Sequence, residues 1–194
     1  MGGGKGKKIG MSQGHLTRQQ FRESLPDSWD EWKKDSAILC IGDFTGHNYE
    51  DIRNNPKGLK ATLIEDVLRL SSNKWLNKTI YRGICLTENE VRDLHEGKII
   101  DQKGLSSWSD DFEIAGVFAD SAMYKYSGED YPVRVIFEDS ATRNMDAMSI
   151  RSIARLSDEN EVLRSSYSNQ EVLSVEKRHD VFGSYYHVKI REVI

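Results

Sequence analysis

The run TIYRGI (residues 79–84) places an arginine among apolar and β-branched residues. A charged side chain in such a run needs a partner, because burying an unpaired charge is costly. Two interpretations of Arg82 are open: an ion pair with a structural carboxylate, or contact with a bound anion, and a guanidinium suits phosphate oxygens well. Gly83 follows at once, and its missing side chain allows a ligand to approach the backbone closely.

Two serines flank a tryptophan in KGLSSWSDDFEIAGVFA (residues 103–119). In an extended chain, residues i and i+2 point to the same face, so Ser107 and Ser109 present their hydroxyl groups together while Trp108 points away. The alternative is local, because serine and aspartate commonly cap helices, which makes Ser109 or Asp110 the N-cap of a helix that follows. The motif alone leaves both interpretations open.

Two glutamates flank Asn160 in LSDENEVL (residues 156–163), at the start of an apparent strand. The same period of two puts the carboxylates of Glu159 and Glu161 on one face. Like charges side by side repel, so stability does not explain the pair. Either the pair lies at a solvated strand edge, or the two carboxylates serve separate catalytic roles.

The order and spacing of these motifs are more specific than any one of them. An Arg-Gly on a strand, then Ser-x-Ser, then Glu-x-Glu entering a strand resembles the Arg-Ser-Glu class of mono-ADP-ribosyltransferases. The likeness covers roughly residues 27–194, and within the class the sequence looks closest to the small enzymes of T-even bacteriophages. The segments that extend it are FTGHNYEDIR (44–53), Ala115 with Phe118, and the ending EVLSVEKRHDVFGSYYHVKIREV (171–193).

The resemblance implies that NAD⁺ is a substrate, that ADP-ribose passes to a target with release of nicotinamide, and that no metal takes part. Arg82 is then expected to bind the NAD⁺ diphosphate, and the backbone of Gly83 to hold the nicotinamide carboxamide. Phe118 is expected to pack near the nicotinamide ring. Tyr81 and Ser109 complete the expected NAD⁺-binding set.

The resemblance also implies the catalytic residues. A carboxylate at Glu161 hydrogen-bonds the 2′-hydroxyl and stabilises the positive charge that builds on the ribose as the nicotinamide bond breaks, and Ser107 orients it. Glu159 faces the acceptor and helps deprotonate a guanidinium, which is otherwise charged and a poor nucleophile. A glutamate at this first position resembles the arginine-modifying subgroup. The expected acceptor is therefore an arginine of a target protein, with host transcription or translation proteins as candidates.

Two departures from the family pattern concern the target more than NAD⁺. Trp108 stands where the family has a middle serine or threonine, and Leu156 lies near the place of an aromatic residue. Three alternatives remain open: an NAD⁺ glycohydrolase that uses water as acceptor, a transferase acting with nucleic acid, and a non-enzymatic binding module. Only the basic N-terminus favours nucleic acid, and the presence of every motif residue disfavours the binding module.

The first part of the chain is expected to form helices that help to position these motifs. Residues 26–70 are predicted to be mostly helical, with Ser28 and Glu31 as a capping box and an apolar stripe from Leu59 to Leu70. Two later helices are predicted over 87–97, with Thr87 and Glu90 as its capping box and Gly97 as its stop, and over 113–120.

Strands dominate the second part of the chain. A helical first part followed by a strand-rich second part indicates an α+β fold. The resemblance makes this the ADP-ribosyltransferase fold: two packed, mostly antiparallel sheets, N-terminal helices and a central NAD⁺ cleft. A loop with Gly183 predicts that the last two strands form an antiparallel pair. The predicted strands are 79–85, 104–109, 133–138, 161–164, 171–177 and 185–193.

The whole chain has 194 residues, which suits one domain with its own core. We expect a flexible basic tail over 1–25, which begins MGGGKGKKIGMSQG, and one catalytic domain over 26–194. The net charge of −4 disfavours broad binding to nucleic acid. No apolar run approaches about 18 residues and no secretory signal is recognised, so no membrane partner and a cytoplasmic location (the host's, for a phage protein) are expected. No Cys or His pair has the spacing of metal ligands.

Overall fold

The computed structural model describes residues 15–46, 48–74, 78–101, 104–128, 131–140, 146–155, 159–165 and 169–193. Within these ranges, four helices precede the first strand, and the strands dominate the rest, so the predicted α+β class is confirmed. The helices are α1 (Arg18–Ser24), α2 (Glu31–Phe44), α3 (Tyr49–Asn54), α4 (Leu59–Leu70), α5 (Glu88–Arg92) and α6 (Phe112–Lys125). The strands are β1 (Ile80–Thr87), β2 (Ile99–Asp101), β3 (Ser106–Ser109), β4 (Pro132–Asp139), β5 (Ala147–Ser149), β6 (Glu161–Arg164), β7 (Asn169–Asp180) and β8 (Gly183–Val193).

Helices α1 to α4 share one apolar core. Spacings of three and four residues in α4 place its buried side chains on one side of the helix, as the apolar stripe predicts. Leu59 and Leu70 were assigned to that stripe but are 91% and 43% exposed, since they lie at the two ends of the helix. The buried helical members of the core are Phe21, Ala37, Ile38, Ile41, Phe44, Ile52, Ala61, Ile64, Val67 and Leu68.

Helix α1 lies inside the segment 1–25 that we expected to be a tail. Thr17 and Gln20 form a capping box at its start, in which each side chain accepts a hydrogen bond from the other residue's backbone N–H. Phe21 is fully buried in the helical core and Leu25 is 2% exposed. The packed part of the chain therefore begins before residue 26, because these apolar side chains anchor α1. Residues 1–14 lie outside the described ranges.

Two helix boundaries differ from the sequence pattern. The N-cap of α2 is Asp30, whose carboxylate accepts from the backbone N–H of Lys33 at 2.7 Å, so the predicted capping box at Ser28 is wrong. The capping box at Thr87 is confirmed, but α5 ends at Arg92 and not at Gly97. The backbone N–H of Gly97 instead donates to the carbonyl of Val172, which ties this turn to β7.

The eight strands form one hydrogen-bonded sheet in the order β2-β7-β8-β4-β1-β3-β6-β5. Neighbouring strands are antiparallel except β4 and β8, which are parallel. The predicted closing hairpin is confirmed: β7 and β8 are antiparallel from Asn169 and Val193 to the turn at Asp180 and Gly183.

Few hydrogen bonds join the strands near the middle of the sheet. Strand β1 pairs with β4 along its whole length, but it pairs with β3 only between Tyr81 and Ser109, which we call the junction. We name β2, β7, β8, β4 and β1 the five-stranded half, and β3, β6 and β5 the three-stranded half. These halves correspond to the two expected sheets, which the junction joins.

Helix α6 covers the five-stranded half, and its close approach explains Gly83. A Cβ atom on Gly83 would lie 1.7 Å from the carbonyl oxygen of Ala115 and 2.7 Å from the backbone nitrogen of Ala119, both in α6. Glycine is therefore required at this position by the packing of a helix against a strand. The motif alone suggested a different reason for this glycine, the close approach of a ligand.

Three properties of the described residues bear on the wider expectations. No helix within them is both long and apolar enough to cross a membrane. They contain no group of three or more His, Cys, Asp or Glu side chains arranged to hold a metal ion. Cys40 and Cys85 are free thiols that are partly exposed.

Candidate active site

A cleft of about 450 Å³ lies where α2, α3, α6 and the strands on both sides of the junction meet. All eight residues that the sequence analysis assigned to the site line this cleft, and the fold thereby brings together motifs up to 80 positions apart. These residues are Tyr81, Arg82, Gly83, Ser107, Ser109, Phe118, Glu159 and Glu161.

Glu161 is the first residue of β6, and its side chain is held by β3. The hydroxyl of Ser107 donates a hydrogen bond to Oε1 of Glu161. The two strands are in register with Ser107 opposite Leu163 and Ser109 opposite Glu161, so the hydroxyl and the carboxylate share one face of the sheet. Glu161 is only 5% exposed. The arrangement fixes a carboxylate at the floor of the cleft.

The surroundings of Glu161 raise the pKa of its carboxyl from 4.5 to about 7. Burial is the main cause, because it disfavours the charged form. The hydrogen bond from Ser107 acts in the opposite direction, and the negative charge of Glu159 adds to the increase. A carboxyl with this pKa exists in both protonation states near neutral pH, which is typical of functional sites.

Glu159 precedes β6 and is separated from Glu161 by a bend in the chain. Asn160 has a φ of 48°, in the left-handed region, so the extended period of two does not hold across this tripeptide. Both carboxylates nevertheless line the cleft. Glu159 is partly exposed, whereas Glu161 is buried, so the two groups lie in different environments.

Ser109 connects β3 to the chain before β6. Its hydroxyl donates to the backbone carbonyl of Glu159 at 2.9 Å and accepts from the backbone N–H of Asp111 at 3.1 Å. The N-cap of α6 is Asp111, whose carboxylate accepts from Glu113 and Ile114, so the caps predicted at Ser109 or Asp110 are wrong. Ser109 therefore holds the backbone of Glu159 in place.

Arg82 projects from β1 towards α3, where Tyr49 and Arg53 are its neighbours. Burial lowers the pKa of its guanidinium; a hydrogen bond from Arg82 to Tyr49 opposes this decrease, and the nearby charges of Arg53 and Arg164 add to it. None of the described carboxylates forms an ion pair with Arg82. Of the two interpretations made from the sequence, the structure thus disfavours a structural ion pair.

Two aromatic residues complete the cleft at α6 and β1. The ring of Tyr81 packs edge to face on Phe112, with centroids 5.3 Å apart, and burial raises the pKa of the Tyr81 hydroxyl. Phe118 is 37% exposed on α6 and presents an apolar surface to the cleft. Strand β1 also has an unpaired edge here. It has no pairing with β3 beyond Tyr81, so the backbone edge at Gly83 faces the cleft.

Tyr49 and Arg53, which lie one turn apart on α3, also line the cleft, although no motif in the sequence indicates a role for them. Nη1 of Arg53 donates to the hydroxyl of Tyr49 at 3.3 Å. Gly104 packs on the same helix with a φ of 78°, and a Cβ atom there would lie 2.8 Å from the carbonyl oxygen of Arg53. Both residues occur in the segment 44–53, where the family resemblance was noted without assigning them a function.

A second hollow of about 370 Å³ continues from the cleft. The cleft and the hollow share Arg53, Arg82, Ile84 and Trp108. Apolar side chains of β1 and β2, together with Leu94 and Phe137, form much of its wall, and the carboxylates of Glu90 and Asp101 also line it. Arg53 and Arg82 thus lie where the two spaces adjoin.

No known protein-family model matches the sequence, and no curated protein is significantly similar to it. Solved structures are similar to it in fold. The ADP-ribosyltransferase Vis from Vibrio splendidus, in complex with agmatine, superposes with a TM-score of 0.66 at 16% identity, over 95% of this chain and 89% of Vis.

Two further solved structures extend this likeness. Plx2a, an ADP-ribosyltransferase toxin from Paenibacillus larvae, has a TM-score of 0.59 at 12% identity, over 91% of this chain and 90% of Plx2a. Exoenzyme S from Pseudomonas aeruginosa, in complex with human 14-3-3 protein beta and bound to carba-NAD, has a TM-score of 0.57 at 14% identity, over 90% and 88% of the two chains. The chain therefore has the ADP-ribosyltransferase fold.

Proposed function

We propose that the protein is a mono-ADP-ribosyltransferase that cleaves NAD⁺, releases nicotinamide and transfers ADP-ribose to arginine side chains of target proteins. One observation carries this proposal: Glu161 is buried, is held by Ser107, and lies in one cleft with Glu159 and Arg82. This set combines a group for the substrate's phosphates with two carboxylates in different environments.

Arg82 is the proposed ligand of the NAD⁺ diphosphate. A half-buried guanidinium without a carboxylate partner among the described residues attracts an anion, and its planar fork matches phosphate oxygens. Arg53 lies beside it and adds a second positive charge. That exoenzyme S, which has the same fold, is bound to carba-NAD supports NAD⁺ as the substrate.

The two ends of NAD⁺ are proposed to lie on opposite sides of these arginines. The nicotinamide end lies in the main cleft, where the open backbone edge at Gly83 hydrogen-bonds the carboxamide and Phe118 packs near the ring. Tyr81 closes the wall behind it. The adenosine end reaches the second hollow, where Leu86 and Ile100 offer apolar contact and the carboxylate of Glu90 accepts from ribose hydroxyl groups.

Glu161 is the proposed catalytic carboxylate. The bond between C1′ of the ribose and the nicotinamide nitrogen breaks, and its electron pair stays on nicotinamide. Positive charge builds on the ribose, and the ionised carboxylate, hydrogen-bonded to the 2′-hydroxyl, stabilises it in a site largely shielded from water. Ser107 keeps the carboxylate oriented, so little reorganisation is needed as the charge forms.

Glu159 is proposed to act on the acceptor. A guanidinium nitrogen attacks C1′, and the proton that it loses passes to Glu159, which is partly exposed and open to a target protein. The complex of Vis with agmatine, a small molecule that carries a guanidinium group, supports this type of acceptor. On the basis of the sequence motifs, we also propose that the protein is related to the enzymes of T-even bacteriophages. The same motifs are the basis for proposing host transcription or translation proteins as its targets.

A reaction with agmatine tests the proposal without knowledge of the natural target. The purified protein is incubated with NAD⁺, with and without agmatine, and nicotinamide and ADP-ribosylated agmatine are quantified by mass spectrometry. We expect both products from the wild type, and neither above background from Glu161→Gln. Exposed Glu96 is outside the cleft, so Glu96→Gln serves as the matched control and is expected to retain wild-type activity.

The other outcomes have defined meanings. Nicotinamide release that agmatine does not increase, with free ADP-ribose as the product, indicates an NAD⁺ glycohydrolase. Equal activity of the wild type and Glu161→Gln contradicts the assigned mechanism. Labelling of proteins in a bacterial lysate with radioactive NAD⁺, followed by neutral hydroxylamine, then tests for the arginine linkage.

A further inference from the structure

The proposed reaction requires residues from both halves of the sheet to keep a fixed relative position. Arg82 and Gly83 belong to β1 in the five-stranded half, whereas Ser107 and Glu161 belong to β3 and β6 in the three-stranded half. The strands that join the halves pair at one position, the junction. A single pair of residues provides few hydrogen bonds, so the backbone alone offers little resistance to a change in the angle between the two halves.

A buried ion pair crosses between the halves near the junction. Nη1 of Arg164, the last residue of β6, donates to Oδ2 of Asp139, the last residue of β4, at 2.9 Å. The side chains are 1% and 0% exposed. Strand β6 is the central strand of the three-stranded half, and β4 lies inside the five-stranded half between β1 and β8. The pair thus connects the interiors of both halves.

Trp108 is the third member of this cluster. The guanidinium of Arg164 lies over its ring, 5.1 Å from the centroid, and the indole N–H donates to the hydroxyl of Ser106 at 2.8 Å. The ring is 3% exposed and packs in the core between the halves.

We propose that Arg164, Asp139 and Trp108 form a clamp that positions Glu161 relative to Arg82 for the transfer reaction, an inference that rests on the proposed function. Arg164 lies on the opposite face of β6 from Glu161 and three residues along the strand, about 10 Å away. The clamp residues are positioning residues, since they act through the strands that carry Arg82 and Glu161.

The proposal separates the contribution of the ion pair to stability from its contribution to the relative position of the two strands. Removing one partner leaves an uncompensated buried charge, whereas replacing both by apolar residues of similar volume is often neutral for stability. The apolar replacement, however, loses the directional hydrogen bond between β6 and β4. A displacement of about 1 Å between reacting groups can reduce a rate by about 10²-fold.

The double variant Arg164→Met/Asp139→Leu tests the clamp in the full chain. Its thermal midpoint, the Kd for NAD⁺ and kcat for nicotinamide release are measured beside those of the wild type. We expect a thermal midpoint close to the wild type, a Kd within about twofold, and a kcat at least about tenfold lower. Deuterium uptake is expected to increase in 105–109 and 161–164 and to stay unchanged in α4.

The matched control removes an exposed ion pair between strands. Nη2 of Arg191 in β8 lies 2.6 Å from Oε2 of Glu171 in β7, and the two residues are opposite each other in the register. Both side chains are far more exposed than those of Arg164 and Asp139. Arg191→Met/Glu171→Leu is expected to keep kcat and deuterium uptake at wild-type values. A general effect of removing cross-strand ion pairs would appear in both double variants.

Arg164→Lys keeps the proposal testable if the double variant does not fold, because lysine keeps the charge but loses the planar fork. We expect this variant to show a lower kcat at a nearly unchanged Kd. A folded variant with wild-type kcat and wild-type deuterium uptake overturns the clamp. If the wild type neither binds NAD⁺ nor releases nicotinamide, the proposed function fails instead, and deuterium uptake alone then decides whether the clamp holds the halves together.

Discussion

Replacing the buried carboxyl of Glu161 by an amide is predicted to abolish activity and to stabilise the fold at high pH. Gln has nearly the same shape as Glu and its oxygen still accepts the hydrogen bond from Ser107. It carries no charge, so the cost of ionising a buried group disappears. Glu161 is 5% exposed, and its folded-state pKa is about 7 against an ordinary value of 4.5.

The pH dependence has a definite sign. In the unfolded chain Glu161 ionises near pH 4.5, and in the folded chain near pH 7. Unfolding between these values releases a proton, so this group's favourable contribution is fully present below pH 4.5 and is lost as the pH rises through 7. The loss amounts to about 3 kcal/mol at pH 9, and the Gln variant does not suffer it.

Urea unfolding of the wild type and Glu161→Gln at pH 5 and pH 9 measures this effect. The variant is expected to gain about 3 kcal/mol relative to the wild type between the two pH values. In a chain of 194 residues this corresponds to a relative rise in thermal midpoint of about 6–12 °C. Glu192, whose pKa burial also raises to about 7, is common to both proteins and cancels in the difference.

Two results would refute the reasoning. A stability difference between the wild type and Glu161→Gln that is the same at pH 5 and pH 9 would mean that the folded protein does not disfavour the ionised carboxylate. A variant that retains wild-type nicotinamide release would mean that the carboxylate does not stabilise the transition state, since loss of one such contact is expected to lower kcat about 10²- to 10³-fold. The exposed control, Glu96→Gln, is expected to show neither effect.

Three further predictions concern other residues of the cleft. Glu159→Gln is expected to spare nicotinamide release and lower ADP-ribosylation of agmatine at least about tenfold, because the proposed role of Glu159 is to take the acceptor's proton. Mass spectrometry of both products measures this, and unchanged transfer contradicts the proposed role. Arg82→Ala is expected to raise the Kd for NAD⁺ about 10- to 100-fold in calorimetry, through loss of charge-assisted hydrogen bonds; an unchanged Kd excludes the phosphate contact. Gly83→Ala places a Cβ atom 1.7 Å from the carbonyl oxygen of Ala115 and is expected to lower the free energy of unfolding in urea by at least about 1–3 kcal/mol. Gly42→Ala is the control and is expected to be tolerated, because the nearest atom to its Cβ is 3.9 Å away.

Much of the site could be predicted because its signals are local. Strand and helix periods are read within a few residues, and they placed Arg82 on a strand, Ser107 beside Ser109, and Glu161 at the start of a strand. The capping box at Thr87 follows from side chains three residues apart. The order of these local signals along the chain was then enough to indicate the fold.

Tertiary contacts account for what the sequence did not indicate. Asp139 and Arg164 are 25 positions apart, and no local pattern marks them as partners until β4 and β6 are placed in the sheet. The close approach of α6 to Gly83 depends in the same way on packing. Asp30 replaced Ser28 as the cap of α2 because several polar residues in one short segment are suitable caps, and only the backbone path selects one.

The bend at Asn160 explains how two glutamates separated by one residue can lie in different environments. In a regular strand, Glu159 and Glu161 would lie side by side on one face and would repel each other in the same environment. Asparagine tolerates the left-handed conformation found here, and the Ser109 hydroxyl holds the displaced carbonyl of Glu159. Glu161 therefore stays buried under Ser107, where in the proposed mechanism its charge acts strongly on the ribose cation, while Glu159 stays partly exposed, where it is proposed to meet the acceptor. The bend thus gives the two carboxylates the different environments that their proposed roles require, which a regular strand would not do.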